Sequence, residues 1–134
     1  MKKKTNVIQT QGKRKRSVAR ATLRSGKGKV IVNGQSLHNF STAGARLRVS
    51  EPLILAGGVS NKISIAVTVN GGGINGQADA ARLAIARALV QHDKNLKKTF
   101  DDYDRLFLVA DVRRKEVCKP NDSKARAKRQ KSYR

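Results

Sequence analysis

Two basic clusters and one glycine loop are the groups in this chain whose type and spacing point to chemistry. Lys13-Arg14-Lys15-Arg16 is an uninterrupted cationic run near the start, and Arg20 and Arg24 follow on one face of an alternating segment. Lys27 and Lys29 flank a glycine just beyond. At the other end, Ser123–Arg134 interleaves Lys124, Arg126, Lys128, Arg129 and Lys131 with small residues and finishes Ser132-Tyr133-Arg134. Ammonium and guanidinium groups at this density are phosphate ligands: they displace counterions from a polyanion and hydrogen-bond its oxygens. A Tyr ring beside a terminal Arg adds a surface on which a base can stack. Fully extended, the 12 residues of Ser123–Arg134 reach at most about 40 Å at roughly 3.3 Å per residue. A protein that holds one nucleic-acid surface with its body can therefore deliver its last residues to a second.

The glycine loop is Gly71-Gly72-Gly73-Ile74-Asn75-Gly76. It is not a P-loop, because Gln77 stands where Lys would have to follow Gly76, and it lacks the G-x-G-x-x-G dinucleotide pattern. Gly73–Gly76 fits the G-x-x-G clamp of KH domains, but that clamp joins two helices and this one follows a strand. Two readings stand side by side. The loop is a tight strand-to-helix connection, or the backbone amides of Gly72, Gly73, Asn75 and Gly76 meet a phosphate at the positive end of the following helix.

Catalytic constellations are missing. Asp101, Asp102 and Asp104 cluster, but such runs more often cap a helix, face water or pair with a neighbour such as Arg105 than hold Mg²⁺. Cys118 has no resolving partner and no nearby His, which points to an inert thiol. One cysteine allows no internal disulfide, and His38 and His92 are too far apart in sequence to suggest a metal site. No enzyme, no cofactor and no metal is expected.

The elements that position these groups are legible from charge and periodicity. The chain has 134 residues and a formal net charge of +21. Residues 1–29 carry 11 basic residues and no acid, residues 113–134 carry 10 and 2, and the middle 83 carry 9 and 7. The two ends thus hold almost all the excess around a nearly neutral centre, an imbalance that a polyanion would neutralise. The basic start lacks the apolar stretch of a signal peptide, and Leu53–Ala56 and Leu106–Ala110 are far too short to span a membrane. A soluble intracellular protein is expected.

Thr5–Gln9, Ser17–Arg24 and Lys29–Val32 read as three strands, the last closed by the turn dipeptide Asn33-Gly34. In the second, Ala19, Ala21 and Leu23 share one face, and Val18, Arg20, Thr22 and Arg24 the other. Residues 36–58 change to a helical period, with Pro52 able to open a second helical piece and Gly57-Gly58 to end it. Ile63–Asn70 is a strand with Ile63, Ile65, Val67 and Val69 on one side. Gln77–His92 is a helix capped by Asn75 or Gly76, with Asp79 in its first turn and Ala78, Ala81, Ile85, Ala88, Leu89 and His92 facing the core. Arg82 and Arg87 lie away from that face. Leu106–Val109 is a short strand or a buried turn. The class is α+β: a mixed four-stranded sheet packed by helices, with residues 1–118 as one body and 119–134 as an extended basic tail.

Four blocks in order resemble the family of small-subunit ribosomal protein nine: Gly12–Arg20, Gly26–Gly34, Val69–Gln77 and Ala84–Leu89. The ending Lys128-Arg129-Gln130-Lys131-Ser132-Tyr133-Arg134 is similar to that of the archaeal and eukaryotic branch, where the bacterial form has Lys before the final Arg. The resemblance implies a left-handed βαβ crossover and a structural role in the cytoplasmic small ribosomal subunit. It implies binding to small-subunit rRNA in the head, beside neighbouring ribosomal proteins, by Lys13–Arg16, Arg20, Lys27, Lys29, Lys124, Arg126, Lys128 and Arg129. It further implies a tail that brings Lys131, Ser132, Tyr133 and Arg134 to the P-site tRNA. A free-standing nucleic-acid chaperone is the alternative, and an RNA-processing enzyme a distant third.

Overall fold

The computed structural model describes residues 6–130, 132 and 133. Strands β1 (Ile8–Arg14) and β2 (Ser17–Ser25) form a hairpin, followed by β3 (Val30–Val32) and β4 (Gln35–Ser36). Helix α1 (Ala43–Ala56), strand β5 (Ile63–Asn70), helix α2 (Ile74–His92) and helix α3 (Leu96–Tyr103) complete the regular elements, and the last 3-10 turn is Arg105–Phe107. The strands form one mixed sheet in the order β1-β2-β5-β3-β4.

The sheet is mixed as expected and has one strand more than the four read from the sequence. The addition, β4, is the two-residue return arm of the Asn33-Gly34 turn and is too short to show alternation. Nor do the first three strands lie side by side: β5 inserts between β2 and β3, antiparallel to one and parallel to the other. The parallel pair is joined by a long connection through α1.

Periodicity located the covered face correctly. Ala19, Ala21 and Leu23 of β2 and Ile63, Ile65, Val67 and Val69 of β5 are at most 3% exposed. Helix α2 lies over them. Its alanines at 78, 80, 81, 84, 86 and 88 are almost wholly buried, because the helix is packed on the sheet on one side and on α1 and α3 on the other. Burial therefore extends beyond the single face read from the sequence. It includes Arg82, expected to point away, whereas His92 is exposed. The small alanines let α2 come close to β1, where the Thr10 hydroxyl donates to the Ala84 carbonyl at 2.7 Å.

Two local expectations are corrected, and one open alternative is decided. Helix α1 runs unbroken through Pro52, which starts no second piece. One intrahelical bond is lost there, and burial of the proline ring in the core compensates. Helix α2 starts at Ile74 with Gly73 as its cap, so Asn75 and Gly76 are inside the first turn and Asp79 is beyond it. Of the strand and the buried turn open for Leu106–Val109, the structure takes the turn, at residues 105–107, whose start is held by the Asp104 carboxylate accepting from the Leu106 amide at 2.9 Å. That turn drives Phe107 into the core against Phe100, with ring centroids 5.3 Å apart.

Candidate nucleic-acid interface

The acids of the central region are largely committed to internal pairs. Arg82, almost buried, reaches Glu51 at 2.7 Å and Asp104 at 3.1 Å, and its guanidinium lies 4.0 Å from the centre of the Phe107 ring. Asp104 thus pairs across the fold and not with adjacent Arg105. Asp79 binds Arg48 at 2.6 Å and lies 3.7 Å from Arg14, which is also 3.5 Å from Asp111. The Asp79 contact favours the charged form of Arg48. Arg113 donates to the Asp111 carboxylate from its guanidinium and from its backbone amide, which holds the Asp111 carboxyl well below the usual carboxylate range.

A carboxylate whose pKa is depressed on folding contributes stability above its unfolded pKa, and that contribution is lost as pH falls through the folded value. Asp111→Asn is therefore expected to lower the urea midpoint modestly at pH 7. The gap to wild type should narrow as pH drops below about 4, the ordinary aspartate range. An equal gap at pH 7 and pH 3 would contradict the pairing.

The basic run at 13–16 does not act as one block. Lys13 closes β1 on the open face of the sheet, opposite Val18, whereas Arg14 turns to the helix side and into the ion pairs above. Lys15 and Arg16 form the exposed hairpin turn, Lys15 with a φ of 54°. Arg114 fastens the C-terminal segment to this turn by donating to the Lys15 carbonyl at 2.8 Å. Lys27 and Lys29 are exposed at the opposite end of β2, roughly 27 Å away at about 3.3 Å per strand residue. Arg20 and Arg24 span the distance on the open face. Lys62, which the sequence reading passed over, joins the second cluster, since its carbonyl accepts from Gly26. No periodic signal marked it.

The glycine loop packs beneath the hairpin turn. Ser17, fully buried, donates its hydroxyl to the Gly71 carbonyl at 3.0 Å. A Cβ on Gly72 would sit 2.1 Å from that hydroxyl, and one on Gly71 2.6 Å from the Arg16 carbonyl. Both residues have positive φ. Close approach and backbone angle therefore account for these two glycines without a ligand. No side chain caps α2 at Gly73, and its first-turn amides lie beside the cationic turn.

Beyond Phe107 the chain forms no regular element among the described residues. Arg87 holds it to the β1 edge by donating to the carbonyls of Leu108 and Gln11. Residues 112–118 are exposed, Cys118 among them. The next stretch folds back on itself: Lys119 donates to the Ala127 carbonyl at 2.7 Å, Arg126 pairs with Glu116, and Arg129 with Asp122. Lys124 and Lys128 are exposed and make no ion pair among the described residues, and Ser132 and Tyr133 are exposed. Lys131 and Arg134 lie outside the described residues. Among the described residues, no group of three or more His, Cys, Asp and Glu is placed to hold a metal, and no helix is long and apolar enough to cross a membrane.

The family model described as Ribosomal protein S9/S16 matches residues 12–134. The chain is 47% identical over 127 residues to small ribosomal subunit protein uS9 of Thermoplasma acidophilum, covering 93% of this chain and 98% of the relative. It is 46% identical over 130 residues to uS9 of Pyrobaculum aerophilum (96% and 92%) and 43% identical over 130 residues to uS9 of Methanothrix thermoacetophila (96% and 98%). These archaeal relatives agree with the archaeal-type ending read from Lys128–Arg134.

Proposed function

The chain belongs to the ribosomal protein S9/S16 family, structural and non-enzymatic components of the cytoplasmic small ribosomal subunit, and we propose that within the subunit head it clamps rRNA with its hairpin and carries its C-terminal tail to the P-site tRNA. In this reading residues 1–118 form the rRNA-binding body and 119–134 the tail. Lys13, Lys15, Arg16, Arg20, Lys27 and Lys29 contact rRNA phosphates. Lys124, Arg126, Lys128 and Arg129 line the tail's path, and Lys131, Ser132, Tyr133 and Arg134 meet the tRNA. Arg14 braces the hairpin from behind and presents its neighbours. The amides of Gly72, Gly73, Asn75 and Gly76 are available to a phosphate held by Lys15 and Arg16. Arg126 and Arg129 exchange their carboxylate partners for phosphates, which is feasible because exposed ion pairs are weak and screened by salt.

The observation that carries this reading is the division of the cations. Arg14 and Arg82, the cations most enclosed by the sheet and helices, are neutralised by Asp79, Asp111, Glu51 and Asp104, while Lys15, Arg16, Arg20 and Arg24, on the hairpin turn and along β2, make no ion pair among the described residues. Charge left unpaired at fixed positions is what a phosphate backbone neutralises.

Changing Lys13, Lys15 and Arg16 together to Gln is expected to leave folding intact and to reduce the salt slope of rRNA binding by about 2 to 3, close to one unit per lost phosphate contact. Filter binding across a salt series measures this, and an unchanged slope would remove the hairpin from the interface. Sedimentation separates the ribosomal role from that of a free chaperone: the protein should travel stoichiometrically with small subunits after a moderate salt wash.

A further inference from the structure

The helices cover one face of the sheet and leave the other open. The register defines what that open face presents. Gln11, Arg20 and Thr68 form one row across β1, β2 and β5, and Gln9, Thr22 and Ala66 form the next. Lys13 and Arg24 stand at either end, Lys13 diagonal to Arg20 at about 7–8 Å. Among the described residues, the strand positions of this face carry no acidic side chain and no aromatic one. The aromatics are elsewhere: Phe40, Phe100 and Phe107 are in the core, Tyr103 packs on Phe107, and Tyr133 is in the C-terminal segment.

From this face we infer that the open sheet is a docking surface for double-stranded, A-form RNA, met at its minor groove. The inference rests on the RNA-binding reading above and specifies which form of RNA the sheet takes. Sheets that take single-stranded RNA stack its bases on aromatic side chains, and this face has none. What it has is a field of hydroxyl and amide groups around Arg20, with Lys13 and Arg24 at its ends and the small or aliphatic side chains of Val18, Ala66 and Ile31 among them. The wide, shallow minor groove of an A-form helix presents 2′-hydroxyls, which donate and accept, and it is bounded by phosphates. Thr and Gln side chains also donate and accept, so Thr22, Thr68, Gln9 and Gln11 match the groove floor with the Arg20 guanidinium among them, while Lys13 and Arg24 at the two ends match the phosphates that bound it. The positive, acid-free character of the face is complementary to that ligand and to its backbone.

The experiment compares binding of the full chain to three probes: an RNA duplex of about 16 base pairs, enough to expose two minor grooves, the DNA duplex of the same sequence, and one RNA strand alone. The RNA duplex should bind about tenfold more tightly than the DNA duplex, the effect of about two hydrogen bonds to 2′-hydroxyls. Thr22→Val with Thr68→Val, which keeps strand propensity and removes both hydroxyls, should lower RNA-duplex affinity several-fold toward that for DNA and leave DNA affinity unchanged. Circular dichroism of the double variant verifies its fold, and Gln11→Leu, which removes one amide from an exposed position, should lower the preference in the same direction if that double variant is unfolded. Equal affinity of the wild type for the two duplexes, or tightest binding to the single strand, overturns the inference alone. Failure of the wild type to bind any of the three probes overturns the RNA-binding reading beneath it.

Discussion

Gly12→Ala is expected to destabilise the protein by about 3 kcal/mol, the upper part of the range for forcing atoms into a packed interior. A Cβ at this position would lie 2.3 Å from the Ala80 carbonyl oxygen, 2.8 Å from the Ala84 nitrogen and 3.1 Å from the Leu83 Cβ. Two of these three are backbone atoms of the most deeply buried helix, so no side chain can rotate away. Relief requires β1 to lift from α2, which would stretch the bond from Thr10 to Ala84 and the Arg87 contact to Gln11. The same movement would displace the hairpin turn. Urea denaturation should show a lowered midpoint at unchanged slope, together with weaker rRNA binding. Gly44→Ala is the control. Nothing lies within 4 Å of its Cβ position, and it sits inside α1, where alanine should be neutral or stabilising by about 0.5–1 kcal/mol. Equal stability of Gly12→Ala and wild type would mean that β1 and α2 are farther apart than described.

Removing Ser123–Arg134 should leave the fold intact and weaken P-site tRNA retention on small subunits by about tenfold or more. Among the described residues, the last buried side chain is Phe107, and the last hydrogen bond that ties the C-terminal segment to the hairpin comes from Arg114. Both precede the cut. The deletion takes away six cations and no acid, and each lost phosphate contact weakens binding and flattens its salt dependence. Thermal unfolding should therefore be nearly unchanged, while filter retention of P-site tRNA by subunits carrying the truncated protein falls. Normal tRNA affinity on otherwise normal subunits would remove the tail from the tRNA path. A Tyr133→Ala variant separates stacking from charge, since it retains all six cations.

Much of the fold is legible in local pattern. Strands β2 and β5 alternate cleanly because one face of each is buried under α2 and the other is open, so Ala19, Ala21 and Leu23 contrast with Arg20 and Arg24. Helix α2 is legible from its length and alanine content. What local pattern does not contain is layering. Arg82 looks solvent-facing because its own helix places it off the apolar stripe, yet α3 and the turn at Arg105–Phe107 close over it and supply Asp104 and a ring. Strand order is also invisible locally: β5 lies between β2 and β3 because the α1 connection returns it there, and nothing within eight residues of β5 encodes its neighbours.

The partition of charge follows from composition alone. Eleven basic residues without an acid in the first 29, and ten against two in the last 22, favour a polyanionic partner whatever the fold, because Coulomb repulsion depends on how many charges are near one another in the chain. Which of those charges remain for the partner depended on tertiary packing. Lys13, Arg14, Lys15 and Arg16 are equivalent as letters. Strand alternation then turns Arg14 toward Asp79 and Asp111, residues 65 and 97 positions away, and leaves the other three outside. Ion pairs form over a few ångströms of space, and only the folding of α2 and the C-terminal segment against the hairpin brings those carboxylates within reach.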